Sequence, residues 1–175
     1  MARPGLILGI DPGLTGGIAL LDPARPAAVE VWDMPQIEKT VDAAELAAIV
    51  RRAAPSHIVL EQVGPMPRDG VKQAFSFGQS YATARVVSML LEIPLFLVRP
   101  QAWKGYFHLP GSDAGKEAGR ALALRRFPAS ASSFNLKKHH NRAESALLAL
   151  YGAEKLLPAG RTAATSSPSA TGVPD

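Results

Sequence analysis

The sequence begins with an apolar run that ends in a single carboxylate, and this run constrains the fold more than any other feature. Residues 6–13 read LILGIDPG, and residues 14–21 read LTGGIALL. Two apolar runs separated by a Pro-Gly turn predict a β-hairpin whose first strand ends at Asp11. Because the first run is apolar at nearly every position, we expect a central strand covered on both faces. Asp-Pro-Gly is also an ordinary turn sequence, so Asp11 by itself is either a site residue or a turn residue.

The composition excludes several classes of protein. A chain of 175 residues, 47% of them apolar, is expected to form one soluble domain. There is no cysteine, which excludes disulfides and thiolate metal sites and leaves oxygen and imidazole as metal ligands. No apolar run reaches about 18 residues, so no membrane span is expected. The early first strand also predicts that no signal or transit peptide is present.

Positive charge is concentrated in residues 99–142. Nine Lys and Arg side chains are opposed there by Asp113 and Glu117 alone, giving this span a net charge of +7 and the remainder −3, within a total of +4. A basic half of this kind suggests a polyanionic partner such as nucleic acid. A solvated charged surface is the alternative.

The remaining patterns predict an α/β domain. Residues 29–33, VEVWD, alternate as a strand with one exposed face, and Asp42 followed by Glu45 begins a helix. Residues 57–61, HIVLE, form another apolar run that ends in an acid; because it follows a helix, it is expected to lie parallel to an earlier strand. A fifth strand at 95–98 completes a mixed sheet, flanked by helices at about 42–52, 79–91, 114–126 and 139–157.

If the strand at 57–61 pairs with the first strand, Asp11 and Glu61 lie side by side at two neighbouring strand ends. Two adjacent carboxylates repel each other, and a divalent cation relieves that repulsion. Two unrelated acids where strands meet loops are the alternative.

Residues 62–79 are rich in glycine, proline and polar side chains and predict a long functional loop. This loop combines amide, cationic and aromatic side chains, the types that address base edges and stack on bases. Phe75 and Phe77 could alternatively anchor the following helix. The side chains predicted to contact such a nucleic acid, in this loop and in the basic half, are Lys72, Gln73, Lys104, Lys116, Arg120, Lys137, Lys138 and Arg142.

The last helix opens with a dense group of charged and imidazole side chains. Residues 137–144 read KKHHNRAE, in which His140 and Glu144 are four apart and lie on one helix face. Both are acceptable ligands for Mg²⁺- or Mn²⁺-type sites, and either could orient a water as a general base. An ordinary surface pair is the alternative, although the surrounding cations suit an approaching phosphate.

Three of these motifs together resemble a known family. Gly9-Ile-Asp11-Pro-Gly, the strand ending in Glu61-Gln62 and the acidic last helix resemble the RuvC-type Holliday junction resolvases of the RNase H-like superfamily. The similarity extends over residues 5–158. Within that family the chain is most similar to the plant chloroplast branch, through FNLKKHHNRAE at 134–144, QAWKGYF at 101–107 and PRDGVKQ at 67–73.

The resemblance implies an RNase H-like α/β fold over residues 1–158, while residues 159–175 have the composition of a disordered tail. It implies a crossover junction endodeoxyribonuclease, a homodimer that resolves four-way DNA junctions by paired symmetric nicks. Phosphodiester hydrolysis would depend on Mg²⁺ or Mn²⁺, two ions per active site. No nucleotide cofactor and no membrane partner are expected.

The implied catalytic residues and metal ligands are Asp11, Glu61, His140 and Glu144. Bacterial members carry two aspartates three residues apart in the last helix, where this chain has Asn141 and Glu144. His140 is therefore the better candidate for the fourth residue, and Asn141 stays open as the other. A cytoplasmic protein of bacterial or phage origin is expected, with a chloroplast protein lacking its transit peptide as the alternative.

Two other functions fit parts of the sequence. The hairpin DPGLTG is also similar to the first phosphate loop of actin- and sugar-kinase-type ATPases. Those proteins need a second domain, for which this chain has no room. A non-catalytic DNA-binding module is the other alternative, and the intact set of acids argues against it.

Overall fold

The structure, a computed structural model, describes residues 5–64, 70–111 and 113–157. A five-stranded sheet is built from β1 (Ile7–Asp11), β2 (Gly17–Leu21), β3 (Val29–Asp33), β6 (His57–Glu61) and β7 (Leu95–Val98). The strand order is β3-β2-β1-β6-β7, in which the first three strands are antiparallel and β6 and β7 run parallel to β1. The predicted mixed sheet is confirmed.

In the described residues, five α-helices surround the sheet: α1 (Ala43–Ala53), α2 (Val71–Leu90), α3 (Pro100–Tyr106), α4 (Asp113–Arg126) and α5 (His140–Tyr151). Two 3₁₀ segments, Pro128–Phe134 and Lys137–His139, precede α5, and a π-helical turn, Gly152–Leu156, follows it. A small hairpin of β4 (Gln36–Ile37) and β5 (Thr40–Val41) lies in the segment between β3 and α1. The hairpin was not predicted.

The sheet separates two apolar layers because strand side chains alternate between its faces. Ile7 of β1 belongs to the layer formed with α4 and α5, whereas Leu8 and Ile10 belong to the layer formed with α1 and α2. β1 is buried at every position, as its continuous apolar sequence predicts. α1 begins as predicted, with the Asp42 carboxylate accepting hydrogen bonds from the backbone N–H groups of Ala44 and Glu45.

Two glycines of the opening hairpin allow α5 to lie directly on the sheet. A Cβ at Gly9 would stand 2.1 Å from the carbonyl oxygen of Ser145, and one at Gly17 would stand 2.8 Å from that of Asn141. Neither position therefore has room for a side chain. This close approach brings the first turns of α5 to the end of β1 that carries Asp11.

The segment after β6 differs from the prediction. Helix α2 begins at Val71, so residues 71–79, predicted as loop, are helical, and Lys72 and Gln73 lie in the first turn. The prediction extended the loop too far because it rested on the glycine, proline and polar content of the whole segment, whereas a helix tolerates an internal glycine such as Gly78 at a cost of about 1 kcal/mol. Residues 65–69 lie outside the described residues, as do the proposed tail at 159–175 and the end of the proposed domain at residue 158.

In the described part of the chain, none of the helices combines the length and the apolar character needed to cross a membrane.

Candidate active site

Two acidic side chains stand together at the carboxyl end of the central strands. Ile10 of β1 pairs with Leu60 of β6, so Asp11 and Glu61 follow at the same height on adjacent parallel strands, about 4.8 Å apart in backbone spacing. Both side chains are buried. The register thus confirms that the two acids are neighbours.

Glu144, from the first turns of α5, is the third member of this cluster. It is buried beside the sheet, and its charge acts on both Asp11 and Glu61. Burial, followed by the charges of Glu61 and Glu144, raises the pKa of Asp11 well above its ordinary value. Burial also raises the pKa of Glu61, and Glu144 adds to that increase. The three carboxylates therefore form one electrostatically coupled group.

Helix α3 supplies two side-chain donors to this cluster, and the backbone N–H of Gly13 donates a hydrogen bond of 3.3 Å to Oδ1 of Asp11. The indole Nε1 of Trp103 donates a hydrogen bond of 2.8 Å to Oε1 of Glu61. The ammonium of Lys104 lies 3.3 Å from Oε1 of Glu144 and lowers the pKa of Asp11 and of Glu61. α3 follows β7, whose Val98 is level with Glu61, so the helix starts at the same edge of the sheet.

His140 and Asn141 stand at the start of α5, and neither is hydrogen-bonded to the three carboxylates in the described structure. Nδ1 of His140 is 3.1 Å from the carbonyl oxygen of Lys137. Because a carbonyl only accepts, this bond requires the proton on Nδ1, and in the neutral ring the lone pair is then on Nε2. Asn141 donates its amide to the carbonyl oxygen of Thr15, which ties the β1–β2 turn to α5. Both residues line a cavity of about 410 Å³ beside that turn.

The predicted DNA contacts fall into two groups. Four of them interact within the protein, Lys116 among them. Arg142 binds Asp33 through two bonds of 2.6 Å, Arg120 contacts Glu117 and the Phe134 carbonyl, and Lys104 contacts Glu144. The second group is exposed on the surface and consists of Lys72, Gln73, Lys137 and Lys138. Lys116 is exposed and interacts with other groups of the chain.

The chemistry of the carboxylate cluster suits a hard divalent cation. Such ions take carboxylate oxygens, and a cation would remove the repulsion that raises the pKa of Asp11 and Glu61. Across residues 5–64, 70–111 and 113–157, however, no three His, Cys, Asp or Glu side chains are arranged to hold a metal ion. The ammonium of Lys104 partly neutralises the cluster instead.

Sequence reasoning missed the role of Trp103 within the protein and assigned Lys104 to DNA alone. A signal for both was available, because the carboxyl ends of β1, β6 and β7 share one edge of the sheet. Residues that follow β7 therefore belong near Asp11 and Glu61. The bond between Asn141 and Thr15 had no comparable signal in the sequence.

Comparison with known proteins identifies the architecture. Among solved structures, the chain is similar to RuvC of Thermus thermophilus in complex with a Holliday junction substrate, with a TM-score of 0.59 and 18% identity over 83% of this chain and 90% of that one. The chain has an RNase H-like fold. A second T. thermophilus RuvC structure matches with a TM-score of 0.56 and 18% identity, covering 85% of this chain and 95% of that one.

The yeast mitochondrial Holliday junction resolvase Ydc2 matches with a TM-score of 0.52 and 13% identity, covering 85% of this chain and 78% of that one. No protein-family model and no curated protein matches the sequence. At these identities the similarity establishes the fold, and the activity is argued from the site.

Proposed function

We propose that this protein is a crossover junction endodeoxyribonuclease that resolves four-way DNA junctions by paired symmetric nicks. The observation that carries the proposal is the buried cluster of Asp11, Glu61 and Glu144 at the carboxyl edge of an RNase H-like sheet. Structures with the same fold include a RuvC bound to a Holliday junction substrate and a yeast junction resolvase. A buried set of repelling acids is costly for a module that only binds DNA, which favours an enzyme.

In this proposal the three carboxylates bind Mg²⁺ or Mn²⁺, and His140 is the fourth catalytic residue. Two bound ions would supply stabilisation of the attacking and leaving oxygens in phosphodiester hydrolysis. His140 holds its Nδ1 against the Lys137 carbonyl, so its Nε2 is free to act as a ligand or as a general base. Asn141 is the weaker candidate, since a neutral amide is not a general base, and its nitrogen is bound to the Thr15 carbonyl.

The experiment that tests this function compares a synthetic four-way junction with linear duplex, each with and without Mg²⁺. The wild-type protein should nick the junction in Mg²⁺ and leave the duplex intact. Asp11→Asn should abolish nicking and retain junction binding, because it removes charge from the metal site and leaves the basic surface unchanged. Full nicking by Asp11→Asn would contradict the proposal, and binding without any nicking by the wild type would favour a non-catalytic module.

A homodimer follows from the two-fold symmetry of the junction, since paired cuts need two identical sites. The exposed face of α2 is the proposed surface. Of the eight large apolar side chains exposed in the described part of the chain, five lie on α2: Val71, Phe75, Val86, Met89 and Leu90. One face of α2 carries exposed apolar residues at the spacing of the helical repeat: Phe75, Ala82, Val86 and Met89. The small side chain of Ala82 would let a second copy of the chain approach this face closely.

Sedimentation should therefore give a particle of twice 18.5 kDa. Replacing Phe75 and Met89 together by glutamate should produce monomers that nick one strand at a time. Ile37→Glu changes an equally exposed apolar residue on the β4–β5 hairpin and should leave the dimer intact. A double variant that still sediments as a dimer would exclude this face.

The finer resemblance, to the plant chloroplast branch, remains a proposal that rests on the sequence blocks at 101–107 and 134–144. The compared structures are bacterial and yeast mitochondrial. We propose a cytoplasmic location in a bacterial or phage-infected cell.

A further inference from the structure

Trp103 is a buried tryptophan whose indole N–H donates a hydrogen bond to a carboxylate. The side chain is fully buried among the apolar residues that α4 and α5 contribute to the core. A buried indole N–H requires an acceptor, and a neutral backbone carbonyl would serve. Here the acceptor is a carboxylate oxygen of Glu61, 2.8 Å away, in a cluster where Asp11 and Glu144 already repel it.

This bond makes the two carboxylate oxygens of Glu61 inequivalent. Oε1 accepts the hydrogen bond from Trp103, whereas Oε2 accepts none from the described residues. A glutamate side chain has several rotatable bonds, so a single donor on a rigid, fully packed ring removes much of its freedom. We propose that Trp103 is a positioning residue for Glu61, holding Oε1 so that Oε2 is the oxygen presented to a divalent cation. This inference rests on the proposed function.

The neighbouring residue of α3 shows why Trp103, and not Lys104, has this role. Lys104 contacts Glu144 through a flexible side chain that is 29% exposed, and its ammonium lies 5.1 Å from the centre of the Trp103 ring. A partly exposed ammonium can leave its carboxylate when a metal or a phosphate arrives. The indole has no such freedom, because its ring is enclosed on all sides. Trp103 is therefore the permanent partner of the cluster and Lys104 the exchangeable one.

The test removes the indole N–H and keeps the shape of the ring. Trp103 is replaced by 3-benzothienylalanine, in which sulfur stands in place of the N–H, and in parallel by phenylalanine. The chain's other tryptophan, half-buried Trp32 on β3, receives the same replacement as a matched control. Mn²⁺ binding to the DNA-free protein is measured by calorimetry, alongside the midpoint of unfolding in EDTA and junction binding in EDTA.

We expect Mn²⁺ affinity to fall by about 10- to 100-fold in the sulfur analogue at position 103, the usual cost of losing a group that orients a metal ligand. Junction binding in EDTA should stay within about two-fold of wild type, because no phosphate contact is removed. The analogue at Trp32 should bind Mn²⁺ like the wild type. If Trp103→Phe fails to fold, the isosteric sulfur analogue decides the question alone.

Two results would overturn the proposal, and they differ. Mn²⁺ binding at wild-type strength in the analogue at position 103 would overturn the positioning role alone and leave the nuclease intact. A wild-type protein that neither binds Mn²⁺ nor nicks a junction would overturn the proposed function and this inference with it.

Discussion

Lys104 and Glu144 form an ion pair of 3.3 Å that connects α3 to α5 beside Asp11 and Glu61. The pair places one positive charge against three buried carboxylates. The Lys104 ammonium lowers the pKa of Asp11 and of Glu61, which burial and the charge of Glu144 raise. The ammonium therefore neutralises part of the negative charge of the three carboxylates. That charge suits the site to bind a cation, and its burial destabilises the folded protein.

Lys104→Met should slow junction nicking by on the order of 10²-fold, the usual loss when a single preorganised cationic or hydrogen-bond donor is removed from an active site. Raising the Mg²⁺ concentration should recover part of the rate, since metal then supplies the missing positive charge. The measurement is single-turnover nicking over a range of Mg²⁺ concentrations. Lys155→Met, on the exposed surface after α5, is the control, and an equal loss in that variant would refute a local role for Lys104.

Asp11 should destabilise the metal-free protein in a pH-dependent way. Its pKa is raised in the folded state, so the folded state keeps a proton to higher pH than the unfolded state. The free energy of unfolding should therefore fall as pH rises from 3.8 through the raised pKa, by about 1.4 kcal/mol per pKa unit. In urea unfolding with EDTA, Asp11→Asn should gain stability over wild type through this window.

Asp22→Asn should change the free energy of unfolding in the opposite direction, so this variant should be less stable than wild type at neutral pH. The Ala24 N–H and Arg25 lower the pKa of Asp22, so its charged form adds stability above 3.8 that is lost as pH falls. An Asp11→Asn protein that is no more stable than wild type at neutral pH would contradict the repulsion among the three carboxylates.

Gly9→Ala should destabilise the protein by about 3 kcal/mol. Its Cβ would stand 2.1 Å from the Ser145 carbonyl and 2.6 Å from the Ala149 nitrogen, both of them backbone atoms of α5 that can yield only if the helix moves. Gly105→Ala has open space around it and should be neutral or stabilising by up to about 1 kcal/mol. Thermal or urea unfolding compares the two, and a neutral Gly9→Ala would show that α5 does not need this contact.

Lys137→Ala and Lys138→Ala should each reduce the slope of log affinity against log salt by about one unit. Both lysines are exposed at the start of the segment that leads into α5. The preference for junction over duplex should also fall, since both lysines lie just before α5, the helix that carries Glu144. Titrations of both DNA forms at several salt concentrations test this. Equal losses for junction and duplex would mean that the lysines supply affinity and that junction shape is recognised elsewhere.

Lys72→Ala and Gln73→Ala should weaken the sequence preference of cleavage without abolishing nicking. These side chains are exposed in the first turn of α2, 11 and 12 residues after Glu61 in the chain, and amide and ammonium groups can address base edges. Mapping cuts on a junction with a mobile crossover measures the preference. Gln79→Ala, on an exposed position two turns further along α2, should keep it. An unchanged preference in both variants would assign sequence recognition to other residues.

The amino-acid sequence by itself indicated the strands of the sheet and the three acids of the candidate site, Asp11, Glu61 and Glu144. The apolar run that ends at Glu61 follows a helix and so predicted a strand parallel to an earlier one. The register shows that this earlier strand is β1, which brings Asp11 and Glu61 together. Local signals also located the start of α1, where Asp42 caps the helix. They failed at α2, because a single Gly78 is compatible with a helix that tertiary packing stabilises.

Only the tertiary structure decided what surrounds those acids. Trp103 is 42 residues from Glu61 in the chain, and Lys104 is 40 from Glu144, yet α3 brings both donors to the cluster. The same is true of Arg142, which the sequence suggested as a DNA contact and which binds Asp33, 109 residues away. Periodicity reports which face of an element is buried, but the partner of a polar side chain depends on how elements cross. Here that crossing is set by α5 lying in backbone contact with Gly9 and Gly17.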